Sequence, residues 1–150
     1  MRTLDERQAT DRAEEHVARA VAALPQRPRL ELASELRTEC DDPTDFGPAG
    51  RIQVARRYWL ADLPAGSVDA VFGAIREHWL AGGYRVLEDA RDRTVEDMTT
   101  GQVRPAPLLW VQDDRDGFRM TLVSSAGGDV SLIATSPCIW PDGSPPRDPE

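Results

Sequence analysis

The most regular pattern of apolar and polar positions lies between Ser67 and Leu87. Its apolar residues recur at intervals of three and four: Val68, Val71, Phe72, Ile75 and Trp79. This spacing places them on one face of a helix, with Ser67 as a suitable N-cap and Gly82-Gly83 as the stop. We therefore predict an amphipathic helix whose apolar face is buried, followed by a strand over 84–89.

A second helix is predicted near the N-terminus, over residues 4–24. Thr3 and Glu6 have the spacing of a capping box, and Pro25 ends the pattern. The first half of this segment is nearly all polar. We therefore expect a helix within residues 1–28 that packs on the domain and is partly loose.

Two-residue alternation predicts strands in the remainder of the chain. In residues 51–60, one face carries Gln53, Arg57 and Trp59. After Pro107, a three-strand meander follows, with turns at Asp116-Gly117 and Gly127-Gly128. Residues 29–36 fit either a short edge strand or an irregular packed segment, and the polar run 90–106 is expected to be a solvated connection.

These elements predict an α+β fold. Two helices would pack on one face of a mainly antiparallel sheet of about four to five strands, forming a two-layer sandwich. Residues 29–140 would form a single domain, and residues 141–150 a flexible proline-rich tail.

Charge and hydropathy narrow the choice of partners. The net charge of −8 disfavours nucleic acid, because phosphate backbones would be repelled. No run approaches the ~20 apolar residues of a membrane span. The charged N-terminus does not resemble a secretory signal, so we expect no signal peptide in this chain.

No recognisable catalytic constellation is present. His16 and His78 each lie on a predicted helix without a local motif. Asp41, Asp42 and Asp45 have the carboxylates of a cation site, but such a Pro/Gly-rich segment more often uses aspartate to form turns. We predict no catalytic residue, no cofactor and no metal site.

Aromatic residues on strands provide the best candidate binding surface. Trp59 and Trp110 both lie on predicted strands, and Arg57 is close to Trp59. An exposed aromatic beside a cation is typical of a contact surface. The alternative is ordinary packing of these rings in the core or on the sheet.

The two cysteines, Cys40 and Cys138, favour a disulfide. Both lie beside structure-breaking residues, and the last strand can run antiparallel to the first long strand, which brings Cys138 near Cys40. A bridge of this kind is typical of small exported domains. The alternative is a pair of unrelated thiols in a reducing cytosol.

Three segments carry a resemblance: CDDPTD, EHWLAGGYRV and SPCIWPDG. They resemble small uncharacterised secreted proteins and lipoproteins of actinobacteria over roughly residues 40–143. The resemblance implies export or anchoring at the cell envelope, although this chain shows neither an export signal nor a lipobox. It implies no catalytic residues.

Three hypotheses of function follow. The leading one is a monomeric, non-catalytic, envelope-associated domain that binds a protein or a small ligand. The second is a cytosolic acidic interaction protein, such as an immunity or inhibitor protein that masks a basic partner. The third, a hydrolase that works through scattered carboxylates, ranks last.

Overall fold

The computed structural model describes residues 2–40 and 49–145. Its elements, numbered in chain order, are α1 (Glu6–Ala22), β1 (Arg29–Glu39), β2 (Ile52–Ala61), α2 (Val68–Ala81), β3 (Arg85–Ala90), β4 (Thr94–Glu96), β5 (Val103–Pro105), β6 (Leu108–Asp113), β7 (Phe118–Ser124) and β8 (Val130–Thr135). The candidate ligands Asp41, Asp42 and Asp45 lie outside the described residues.

The main sheet has six strands in the order β1-β2-β8-β7-β6-β3, and every neighbouring pair is antiparallel. The α+β class and the antiparallel sheet are confirmed. The predicted count of four to five strands is too low, because the weakly patterned segment 29–36 is part of a long edge strand, β1, that joins the five strands expected elsewhere. The turns at Asp116-Gly117 and Gly127-Gly128 connect β6 to β7 and β7 to β8, as predicted.

The segment 90–106 is also more regular than predicted. It contains a second sheet, in which β4 and β5 pair through Val95 and Arg104. Gly101 adopts a φ of 71° in the connecting turn, a conformation that glycine tolerates without strain. Three-residue strands are too short to show alternation, so the sequence pattern does not reveal them.

Both helices pack on one face of the main sheet. α1 lies over β2 and β8, and α2 lies against β3 and β6. Phe72, Ile75 and Trp79 are completely buried, which confirms the predicted apolar face of α2. We call the helix-covered side of the sheet the inner face and the opposite side the outer face.

The N-terminal caps of the two helices agree only in part with the sequence prediction. Asp5, rather than Thr3, is the N-cap of α1, and it forms a capping box with Gln8. Ser67 is the N-cap of α2, but its side chain makes no capping hydrogen bond. α1 is continuous and buries residues along its whole length, from Ala9 to Val21.

β1 is a long edge strand, which decides between the two interpretations of this segment. It pairs with β2 over its length and has an irregularity at Ala33. Leu30, Leu32 and Leu36 remain exposed, because β1 extends beyond the part of the sheet that the helices cover. Such irregularities discourage edge-to-edge association of sheets.

The predicted disulfide between Cys40 and Cys138 is confirmed. Their Cα atoms are 6.0 Å apart, and the bridge closes a sequence separation of 98 residues. The Cys40 backbone N–H donates to Arg51, and Ile52 pairs with Ile139 next to the bridge. The bridge therefore joins the end of β1 to the segment that follows β8.

The segment after β8 begins with an ordered contact to α1. The backbone N–H of Glu6 donates to the Pro141 carbonyl, and that of Thr3 donates to the Gly143 carbonyl. The expectation of a free tail therefore does not hold for residues 141–143. Residues 146–150 lie outside the described part of the chain.

Candidate functional site

A buried polar network crosses from α1 to the β6–β7 turn. His16 on α1 is 1% exposed. Its Nδ1 lies 2.6 Å from the Tyr84 hydroxyl, and its Nε2 lies 2.7 Å from Oδ2 of Asp116. Phe118 stacks on the imidazole ring with centroids 5.1 Å apart. The network thus links three segments that are far apart in the sequence.

The chemistry of the partners constrains the direction of these hydrogen bonds. An ionised carboxylate only accepts, so Nε2–H of His16 donates to Asp116. Burial, together with the negative charges of Asp113 and Asp116, raises the pKa of Tyr84 to about 12. The phenol therefore keeps its proton, so it is able to donate to Nδ1 of His16 wherever that nitrogen carries no hydrogen.

Arginines compensate the two carboxylates of this region. Asp116 also accepts from Arg12 at 3.2 Å. Asp113 accepts from Nε and Nη2 of Arg115, both at 2.9 Å. The Arg115 hydrogen bonds hold the pKa of Asp113 below its usual range. Each carboxylate therefore has a cation beside it.

His16, Asp113 and Asp116 also offer three potential metal ligands within 4.8 Å of one another. A cation there would have to displace Arg115 from Asp113 and separate His16 from Asp116. A substrate would have to reach an imidazole that is completely enclosed and a Tyr84 that is 6% exposed. The arrangement therefore fits a structural clamp between α1 and the β6–β7 turn better than a reactive centre.

His78 has a different environment. It is half-buried on α2, where burial and the charge of Arg19 lower its pKa. No hydrogen-bond partner or ion pair of its side chain is found among the described residues. The sequence interpretation of His78 as a boundary residue agrees with this position.

The outer face is the second candidate, and strand register defines its layout. Opposed residues in antiparallel strands share a face. Three rows of opposed residues cross the central strands, each taken in the order β2, β8, β7, β6. The first row is Ala55, Thr135, Arg119 and Gln112, and the second is Arg57, Ile133, Thr121 and Trp110. The third row is Trp59, Ser131, Val123 and Leu108. Trp59 and Trp110 thus lie on opposite outer strands of this group, with smaller side chains between them.

An arginine stacks on each of these tryptophans. The Arg57 guanidinium lies 4.7 Å from the Trp59 ring centroid, and that of Arg119 lies 5.4 Å from the Trp110 centroid. These three rows contain no carboxylate, but on the edge strands Glu31 lies opposite Trp59 and Glu88 lies opposite Trp110, on the same face. The middle of the outer face is therefore a local cationic and aromatic surface.

Two enclosed polar atoms on this surface lack partners. Ser131 is 1% exposed, and its Oγ makes no hydrogen bond within the described residues. The Nε of Arg57, one row away, is also enclosed and unpaired. An unpaired buried polar group is costly and calls for an explanation, such as a missing partner.

The structure brings together the three residues that sequence analysis proposed as a binding surface. Trp59, Arg57 and Trp110 all lie on the outer face, and each of them is half-buried. Sequence analysis did not single out Arg119 or Ser131. Alternation in 118–123 places Arg119 opposite the apolar side of its strand, so the signal for Arg119 was present but was not used.

Comparisons with known proteins add no assignment: no known family, curated protein or solved structure matches the chain. Within residues 2–40 and 49–145, no helix has both the length and the apolar content needed to cross a bilayer. The geometry of the two candidate sites is therefore the basis for the function.

Proposed function

We propose that this protein is a non-catalytic, extracytoplasmic binding domain that receives its partner on the outer face of the sheet. The observation that carries the proposal is the composition of that face. An antiparallel sheet with one solvated face normally alternates apolar-in and polar-out. Here the outward positions include Trp59, Trp110, Ile133 and Val123.

The disulfide supports the extracytoplasmic part of the proposal. Disulfides persist in oxidising compartments and are rare in the cytosol of mesophiles. The Cys40–Cys138 bridge ties two segments 98 residues apart, which is a structural rather than a redox-active arrangement. Both cysteines of the chain are used in it.

The face can be tested by site-specific photocross-linking in cells that make the native protein. We would place benzoylphenylalanine at Trp110 on the outer face and, in a matched variant, at Leu80, which is 43% exposed on α2. We expect a discrete adduct from position 110 that excess wild-type protein suppresses. Adducts from position 80 alone, or from neither position, would contradict the proposal.

A second candidate is a cytosolic acidic interaction protein. An open cleft of about 550 Å³ at the start of α1 favours it, because Asp5, Glu6, Asp11 and Asp142 line this cleft. Such a surface complements a basic partner. Rapid alkylation of cells under non-reducing conditions separates the two candidates: extracytoplasmic protein would resist the reagent, and cytosolic protein would react at both thiols.

A further inference from the structure

We propose that the partner presents an amphipathic, acidic α-helix, and that this helix lies along the strands on the outer face. Its apolar stripe would contact the small side chains between Trp59 and Trp110. Carboxylates on both flanks of the stripe would pair with Arg57 and Arg119. This inference rests on the proposed function, since it names the partner chemistry of the same surface.

The width of the surface suits a helix. Trp59 and Trp110 lie on strands separated by two others, β8 and β7. Three spacings of about 4.8 Å place their backbones about 14 Å apart across the sheet. A helix with its side chains is about 10–12 Å wide. The two rings would therefore form the sides of a trough that holds one helix.

The floor of that trough is low and mostly apolar. Ile133, Thr121 and Val123 occupy it, all half-buried, together with the buried Ser131. β-Branched side chains are short and stiff, so they present a shallow surface with little conformational entropy to lose. A row of larger apolar side chains spaced three and four residues apart on a helix would fill this space.

The positions of Arg57 and Arg119 are the reason why the partner helix would carry acidic groups on both flanks of its apolar stripe. Arg57 stacks on the Trp59 side and Arg119 on the Trp110 side. Neither arginine forms an ion pair with any described residue, unlike Arg85, which pairs with Asp114. Stacking on an aromatic face holds a guanidinium in place while it remains free to bind a carboxylate.

The test uses three synthetic helical peptides and the oxidised, full-length chain. The first has a Leu/Val stripe flanked on both sides by Glu, the second has the same stripe flanked by Lys, and the third has the composition of the first in scrambled order. Affinity is measured by fluorescence anisotropy at low and physiological salt. We expect the Glu-flanked helix to bind at least about tenfold more tightly than either control, with the preference reduced by salt.

Matched variants locate the contact. Arg57→Gln and Arg119→Gln should each weaken binding of the Glu-flanked helix by about fivefold or more, because each removes a charge-assisted hydrogen bond. The matched control is Arg76→Gln. Arg76 lies on α2 and pairs with Asp89, so this change should leave the affinity unchanged. Thermal unfolding of each variant checks that the fold is intact.

Several outcomes would overturn the inference. Equal binding of the Glu- and Lys-flanked helices would show that the charge of the flanks does not determine binding. Equal binding of the scrambled peptide would show that a helical apolar stripe is not required. Binding of phosphatidylglycerol vesicles through Arg57 and Arg119, with no binding of the peptide, would assign the surface to lipid instead. If these peptides fail but position 110 still cross-links, the proposed function stands and only the acidic helix is wrong.

Discussion

The two faces of the sheet use the same four central strands and yet differ in what covers them. On the inner face, Met120, Leu122 and Leu132 are completely buried beneath the helices. On the outer face, their immediate neighbours Thr121, Val123 and Ile133 are half-buried, and neither α1 nor α2 lies above them. The comparison shows how one set of strands stabilises the fold on one side and offers a contact surface on the other.

The two faces also differ in the hydrogen bonding of their enclosed polar atoms. His16, on the buried side of α1, has a partner on both ring nitrogens. On the outer face, Ser131 Oγ and Arg57 Nε have no partner within residues 2–40 and 49–145. The Nε1 of Trp79 in the core is also unpaired, so an orphan donor alone does not mark a binding surface. The outer face is distinguished by combining such atoms with unpaired cations and partly exposed rings.

The largest expected effect concerns the disulfide, which joins the end of β1 to the segment after β8. We expect the double variant Cys40→Ser/Cys138→Ser to lose up to about 4.7 kcal/mol, the chain-entropy value for a loop of about 100 residues. Urea denaturation of the oxidised wild type and the variant measures this loss. An unchanged midpoint and slope would mean that the bridge contributes nothing to stability.

The second prediction compares adjacent residues on β8. Leu132→Ala should destabilise the protein by about 2–5 kcal/mol, because it leaves a cavity in the closed core. Ile133→Ala should cost about 1 kcal/mol or less, because its half-buried side chain has solvent on one side. Equal losses in denaturant unfolding would show that the outer face is covered in the isolated protein, and would break the comparison.

The third prediction uses the two tyrosines, both of which point to the inner side. Burial raises the pKa of Tyr84 to about 12; burial and the hydrogen bond to Glu14 likewise raise the pKa of Tyr58 to about 12. The ordinary tyrosine pKa is about 10. Because the fold favours the protonated phenol, its contribution is complete below pH 10 and is lost as pH rises from about 10 to about 12.

Absorbance at the tyrosinate band follows this titration directly, since the chain has two tyrosines. The native protein should titrate about two pH units later than the urea-unfolded chain. Tyr84→Phe should remove half of the late signal, and coincident native and unfolded curves would refute the enclosed environment of both rings.

Local patterns predicted much of the fold. The three- and four-residue spacing in α2 identified Phe72, Ile75 and Trp79 as buried, because a helix repeats its faces over a short stretch of sequence. Alternation placed Arg57 and Trp59 on one face of β2. The disulfide was predictable because two cysteines allow one intramolecular pairing.

The rest depends on contacts between distant segments. His16 meets Tyr84 and Asp116 across 68 and 100 residues, so no local spacing reveals the clamp. Alternation cannot say which face of β2 the helices cover, and therefore cannot say that Trp59 is on the uncovered side. Bringing Trp110 into the same surface also requires the register of β8 and β7 between them.

The most direct test of the outer face as the binding surface uses the four tryptophans as reporters. Trp59 and Trp110 lie on the outer face, whereas Trp79 and Trp140 are 0% and 4% exposed. Indole N–H resonances of ¹⁵N-labelled, oxidised protein would be followed by NMR during titration with the Glu-flanked helix. The account predicts that the resonances of Trp59 and Trp110 shift with added peptide while those of Trp79 and Trp140 stay in place; shifts confined to Trp79 or Trp140, or no shift at Trp59 and Trp110, would contradict it.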